Sequence, residues 1–143
     1  MASISTFAAF SSRGYGFGGN NPIFPTGGDY VIEDIINNKR IHVFVNSGSF
    51  TVPSNIKSTI GKFFSAEVLV VGGGGGAGNG GPGDYSGGAA GGGAGGAVVY
   101  DSAYTMASGK AFSVTVGGAG GTNDSGGKSM FEGLPNAGGG GAG

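Results

Sequence analysis

The chain contains no cysteine, which excludes a disulfide framework, a thiolate metal site and a cysteine nucleophile. Its single histidine, His42, excludes a metal centre built from several imidazoles. Charged residues make up only 10% of the chain, seven basic against eight acidic, for a formal net charge of −1. Binding to nucleic-acid phosphates calls for a basic stripe, and a membrane-surface module calls for clustered lysines and arginines. Neither pattern is present. No apolar run approaches the ~18 residues of a membrane-spanning helix, and stretches such as Val68–Val71 are strand-sized. The first thirteen residues have no basic start ahead of their short apolar stretch, so no secretory signal is expected. With no convergent acid, base and nucleophile in view, the chain is expected not to be an enzyme and to carry no cofactor.

Glycine is what the sequence has in excess: 37 of 143 residues, against a usual share of about 7%. Its distribution divides the chain. Residues 1–25 read as an N-terminal arm in which Phe7, Phe10, Tyr15, Phe17 and Phe24 are separated by Gly and Ser without a sustained period of two or 3.6. Aromatics spaced this way cannot form a core alone, so they fold back on the rest of the chain or bury in a partner. They are the candidate anchoring residues. Residues 26–143 read as a glycine-rich β-domain, and its last half, from residue 72 onward, holds most of the glycine.

The strand signals are short and separated by turn residues. Thr26–Asp29 is a turn signal before Tyr30–Ile32, and Asn37–Asn38 suits a hairpin connection. Ile41–Val45 is β-branched, with Ile41, Val43 and Val45 on one face and His42 on the other. Phe50 and Val52 share a face in the next strand, which Pro53 ends for lack of an N–H. Residues 56–64 are ambiguous between loop and helical turn. Ala66–Val71 has the near-continuous apolar character of a strand buried on both sides. Two more strands, Ala97–Tyr100 and Ala111–Val116, interrupt the glycine tracts, and the second alternates with Phe112, Val114 and Val116 inward.

Glycine loses more backbone entropy on folding than any other residue. A tract such as 72–96 therefore orders only if close backbone packing and hydrogen bonding compensate. Polyproline-II geometry offers this, because it repeats every three residues and leaves every N–H and C=O free for neighbours. Within 72–96 the phase that starts at Gly72 is almost all glycine, the exceptions being Asp84 and Ala90. No phase is invariant and proline is scarce, which excludes a collagen repeat. The expected fold class is all-β: a small β-sandwich-like core, Gly-rich loops packed as polyglycine-II segments, and an extended N-terminal arm.

Several motifs invite a chemical reading and fail it. Gly127-Lys128-Ser129 follows a strand as in a phosphate-binding loop, but that motif requires Gly where Thr122 stands, and no helix follows. His42 has no paired acid or nucleophile and reads as structural or surface-exposed. Glu33, Asp34, Asp84, Asp101 and Asp124 lack calcium-loop spacing and read as solvated turns, so no metal site is expected. Asn123-Asp124-Ser125 matches a glycosylation acceptor that would be idle without export. Aromatics at the tips of featureless glycine loops are different, because they offer contact area at low entropic cost. Tyr85, with Asp84 beside it and Asn79 nearby, is the candidate recognition surface. Tyr100 and Tyr104 read as packing at strand ends.

The blocks Arg40–Val52, Glu67–Gly76, Gly91–Val99, Phe112–Gly121, Gly127–Phe131 and Ala137–Ala142 together resemble, in order and spacing, a glycine-rich domain of bacteriophage virion proteins. The resemblance covers residues 26–143 and leaves residues 1–25 outside. It implies a virion structural protein of tail fibres or similar appendages, with glycine packing similar to that of polyglycine-II adhesins at the fibre tips of T-even-like phages. No catalytic residues belong to that family. The expected partners are other virion proteins, through the arm, and a host cell-surface receptor, with no nucleic acid and no membrane insertion. The chain is expected in multiple copies or as a homo-oligomer on the tail or capsid surface, after synthesis in the host cytoplasm. A head decoration, cement or head-fibre protein is the alternative, and an ice-binding polyglycine-II protein a distant one.

Overall fold

The computed structural model describes residues 2–7, 24–34, 36, 39–54, 63–80 and 91–143. Eight strands form in chain order: β1 (Ala2–Phe7), β2 (Tyr30–Asp34), β3 (Lys39–Phe44), β4 (Gly48–Thr51), β5 (Phe63–Val71), β6 (Val98–Ala107), β7 (Ala111–Thr115) and β8 (Met130–Phe131). They make two antiparallel sheets, one of five strands in the order β2-β3-β1-β5-β6 and one of three in the order β4-β7-β8. The all-β reading is the observed architecture.

Both sheets turn one face into a single core. Phe44, Ala66, Val68, Val70 and Met106 come from the five-stranded sheet, and Phe50, Phe112, Val114 and Phe131 from the three-stranded one. Stacked Phe112 and Phe131, with centroids 5.7 Å apart, receive the edge of Tyr104 from β6 across the gap. Each such ring removed from water stabilises the fold by about 1.5–3 kcal/mol. Tyr104 packs, though within β6 rather than at a strand end, and donates its hydroxyl to the Glu132 carbonyl at 2.9 Å. Tyr100 does not pack and remains exposed, as do Val98 on the same edge strand and Tyr30, Val31 and Ile32 on the opposite edge.

Three strand assignments differ from the sequence pattern. In β3 the buried face is His42 and Phe44, while the β-branched Ile41 and Val43 take the outer face of the sheet. β5 buries Ala66, Val68 and Val70 but leaves Glu67, Leu69 and Val71 half-covered, so it is a one-sided strand. β6 continues past Tyr100 to Ala107 through an irregularity opposite Ala66 and Val68, where the carboxylate of Asp101 accepts the Ala103 N–H at 2.9 Å. Residues 55–62 lie outside the described residues.

The N-terminal stretch is joined to the domain at both ends. Ala2–Phe7 is paired antiparallel to β3 on one side and to β5 on the other. At the other end Pro25 is buried, and Thr26 exchanges two backbone bonds with Thr51 at 3.0 and 2.8 Å. Asp29 then fixes the β3–β4 turn. Its carboxylate accepts the Asn46 backbone N–H, the Asn46 side-chain amide and the Val45 N–H, and these bonds hold its pKa below the ordinary carboxylate value.

The glycine tracts are ordered as five segments laid side by side: 72–78, 91–97, 117–121, 124–128 and 138–143. The first is central. Its Gly72, Gly75 and Gly78 donate to the carbonyls of Ala97, Ala94 and Gly91 at 2.8–2.9 Å, a step of three residues along both chains. Gly73 and Gly76 donate to Gly127 and Asp124 on a second side. Gly120 and Asn123 donate to the Gly74 and Ala77 carbonyls on a third, and Gly140 and Gly143 donate to those of Gly73 and Gly76 on a fourth. The three-residue step between chains is the polyglycine-II pattern.

These positions need glycine because of proximity, not because of unusual dihedrals. Positive φ among the described glycines is confined to Gly27, Gly28, Gly109 and Gly133, all outside the five segments. A methyl group on Gly72, Gly73, Gly75 or Gly76 would overlap the backbone carbonyl of Gly138, Gly118, Gly141 or Gly121 respectively. At Gly92, Gly95 and Gly118 it would meet nothing within 4 Å. A matched pair of substitutions tests this. Gly76→Ala forces two backbones apart and should cost at least about 1–3 kcal/mol, as other overpacking changes do. Gly95→Ala should be neutral or stabilise by about 0.4–1 kcal/mol through the unfolded chain. Chemical denaturation midpoints of the two variants against the parent chain measure the contrast.

Candidate functional site

The glycine segments share an axis, alternately leaving the sandwich and returning to it. The central one leaves the sandwich where β5 ends at Val71, the second returns to β6 at Val98, the third leaves β7 after Thr115, and the fourth returns to β8 at Met130. The fifth leaves from Ala137, which is bridged to Ser129. Each segment therefore has one end on the sandwich and the other at a common far end. Gly78 pairs with Gly91 there, Ala77 with Asn123, and Gly76 with Gly143.

Two chain reversals are held at this far end, and the bundle fixes their bases. One runs from Asn79 to Gly91. Its exposed first residue, Asn79, donates its backbone N–H to the Asn123 side-chain carbonyl at 2.8 Å. The other is the turn 121–124, closed by the Asp124 N–H on the Gly121 carbonyl at 2.9 Å. Asn123 has φ 62°, the one positive φ outside glycine among the described residues. Asparagine tolerates this left-handed conformation better than other side-chain-bearing residues. It thus combines two tasks, turning its own loop and tying it to the neighbouring one. Thr122, Asn123, Asp124 and Ser125 are all exposed beside Asn79. The surface offers amide and hydroxyl hydrogen-bonding groups and the Asp124 carboxylate on closely held backbone, which suits recognition of a polar surface.

Asn79, read as a recognition residue, thus stands at the far end. Asp84 and Tyr85 lie outside the described residues, in the stretch whose flanks, Gly80 and Gly91, are placed there. Asn123 was legible only as a glycosylation acceptor. The better signal was its position in Thr122-Asn123-Asp124-Ser125, a cluster of turn formers between two glycine runs.

The anchoring candidates are distributed differently. Phe7 is the last residue of β1, in register with Lys39. Phe24 is half-buried, with the Arg40 guanidinium 3.6 Å from its ring centroid, and Arg40 is ion-paired with Glu33. Phe10, Tyr15 and Phe17 lie outside the described residues. The two described anchors are therefore placed within the domain's own sheet or against it.

Away from this end, charged groups are engaged locally. Lys110 is 2.8 Å from Glu132, whose other oxygen accepts the Ser113 N–H. The side-chain bond between them raises the pKa of Lys110 and lowers that of Glu132. Among the described residues, no cluster of His, Asp and Glu stands close enough to hold a metal ion.

The role of Asn123 is open to measurement. Asn123→Ala loses the bond to Asn79 and keeps a β-carbon in the left-handed region without the side-chain amide that makes it tolerable, so it should cost about 1–2 kcal/mol. Asn123→Gly loses only the bond and should cost less, and equilibrium denaturation separates the two. Searched against known proteins, the chain matches no family model, no curated protein and no solved structure.

Proposed function

We propose that this chain is a structural subunit of a bacteriophage virion, a tail fibre or similar tail appendage, that presents the far end of its glycine bundle to the host cell surface. The observation that carries the reading is the central segment 72–78, bonded on four sides through backbone alone. Such a body resists bending and proteolysis without disulfides, and it holds loops at a distance from the domain that anchors it. The loop bases at Asn79 and Asn123 are fixed by the bundle, which is what a receptor-binding surface requires of the residues it presents. The order of strands and glycine blocks over residues 26–143 supports the same assignment.

The sandwich is the end that faces the particle in this reading, with Phe10, Tyr15 and Phe17 of the N-terminal stretch and the exposed edges as its contacts. Among the described residues, Tyr30, Val31 and Ile32 on β2, and Val98 and Tyr100 on β6, are large side chains exposed on the two outer strands of the five-stranded sheet. They support packing against neighbouring subunits or further copies of the chain. The chain acts by binding, without catalysis.

Mass spectrometry of purified particles should detect the polypeptide at low copy number relative to the major head protein, and its absence from particles sinks the proposal. A copy number comparable to the head protein moves it to the capsid surface. Replacing Asn79 and Tyr85 together should lower adsorption to host cells at least about tenfold, the effect of losing roughly 1.4 kcal/mol of binding, while particle assembly is unchanged.

A further inference from the structure

His42 is 1% exposed in the core, on β3 between β1 and β2, where Ile4 and Val31 are its register partners. Its Nδ1 lies 2.7 Å from the Gly27 carbonyl, which can only accept, so the proton is on Nδ1. Nε2 is buried and has no hydrogen-bond partner among the described residues. The ring meets Phe50 of the opposite sheet edge-on at 5.1 Å. One imidazole thus joins β3, β4 and the turn that leads from the N-terminal stretch into β2. Gly27 fits that turn tightly, at φ 119° and with no room for a β-carbon beside the Ser49 carbonyl.

We propose that His42 is a proton-operated latch on the 25–29 turn, closed while its imidazole is neutral and released when a second proton reaches Nε2. Protonation would place a charge and an unpaired N–H donor in the core, both costly to bury. Among the described residues, no acidic side chain facing the ring offsets that charge. Arg40, two residues along the same strand, repels it and is itself held by Glu33 of β2 and stacked on Phe24. Asp29 of the turn has its carboxylate committed to Val45 and Asn46. Asp34 and Lys39 are register partners one position from Arg40 and Glu33, Lys39 is paired with Glu67 of β5, and β1 and β4 contain no titratable side chain. Burial accordingly lowers the His42 pKa from its ordinary value, with Arg40 adding in the same direction and the Gly27 bond opposing.

The sign follows from that direction. An opened turn leaves the imidazole in water, where it takes up a proton near its ordinary pKa of about 6.5, whereas the closed turn takes it up only at lower pH. The closed form therefore holds its full advantage above about pH 6.5. Below that it loses up to about tenfold per pH unit until the closed form is itself protonated. The junction between the N-terminal stretch and the glycine domain loosens in acid, whatever the chain is attached to.

The single histidine makes the test unambiguous. In the full chain, the ring C–H resonances should titrate below about pH 6.5. Between about pH 7 and pH 5.5, protection factors for the amides of Asp29 and Thr51 should fall about tenfold, while those of Gly73, Gly76 and Gly140 hold. His42→Leu should start with lower protection in the turn and show no pH dependence; if that variant does not fold, the parent chain's own titration and exchange decide. A ring that titrates at or above the ordinary value, pH-independent protection of the turn, or an equal loss across the glycine segments would each overturn the latch.

Discussion

The structure depends on backbones touching backbones. Where two polypeptide chains approach until a carbonyl occupies the space of a β-carbon, only glycine is admissible, and each central residue from Gly72 to Gly76 other than Gly74 is in that position. The N–H and C=O groups of a polyproline-II segment have no partner within it, so a lone segment would remain in water. Bundling turns that deficit into the bond that holds the body together. The same proximity gives dispersion contacts to atoms that have no side chains to provide them.

Sandwich and bundle support one another. Each inner residue of the sandwich anchors a strand, and a strand end sets the starting height of a glycine segment, so the three-residue steps fall into register. β5 runs without a break into the central segment, and β6, β7 and β8 each adjoin another. A one-residue slip in any of these strands would exchange its buried and exposed faces and also shift a glycine segment out of its bonding phase. The apolar core and the glycine phase thus constrain the same register.

How much of the candidate site was legible varies by residue. Asn79 belonged to it by position in a glycine loop, and the structure places it at the far end of the bundle. Asn123 had the stronger geometric claim, with its left-handed backbone and its bond to Asn79. That claim depends on two loops 44 residues apart meeting, which no local pattern encodes. The arm is similar. Gly and Ser between aromatics showed that Phe7 and Phe24 could not form a core of their own. Whether they turned to their own domain depended on a free slot between β3 and β5, and on the position of Arg40. His42 looked unremarkable as a polar residue among β-branched ones. It proved to be on the core-facing side, because the β3 register that buries Phe44 must bury His42 as well.

Local composition and periodicity determined the all-β class, the alternation within β7, the loss of a strand donor at Pro53 and the three-residue phase of the first glycine tract. Each of these is set by a residue's own backbone freedom, its missing donor or its spacing to the next apolar side chain. Tertiary structure alone decided which face of β3 is buried, that Ala2–Phe7 fills the centre of the five-stranded sheet, and which glycines are indispensable. The last follows from a physical asymmetry. A glycine's φ and ψ are open to many residues in a polyproline-II chain, so its own sequence neighbourhood cannot distinguish Gly76 from Gly95. Only the carbonyl of another segment, placed by the fold, makes the missing β-carbon at one of them a necessity.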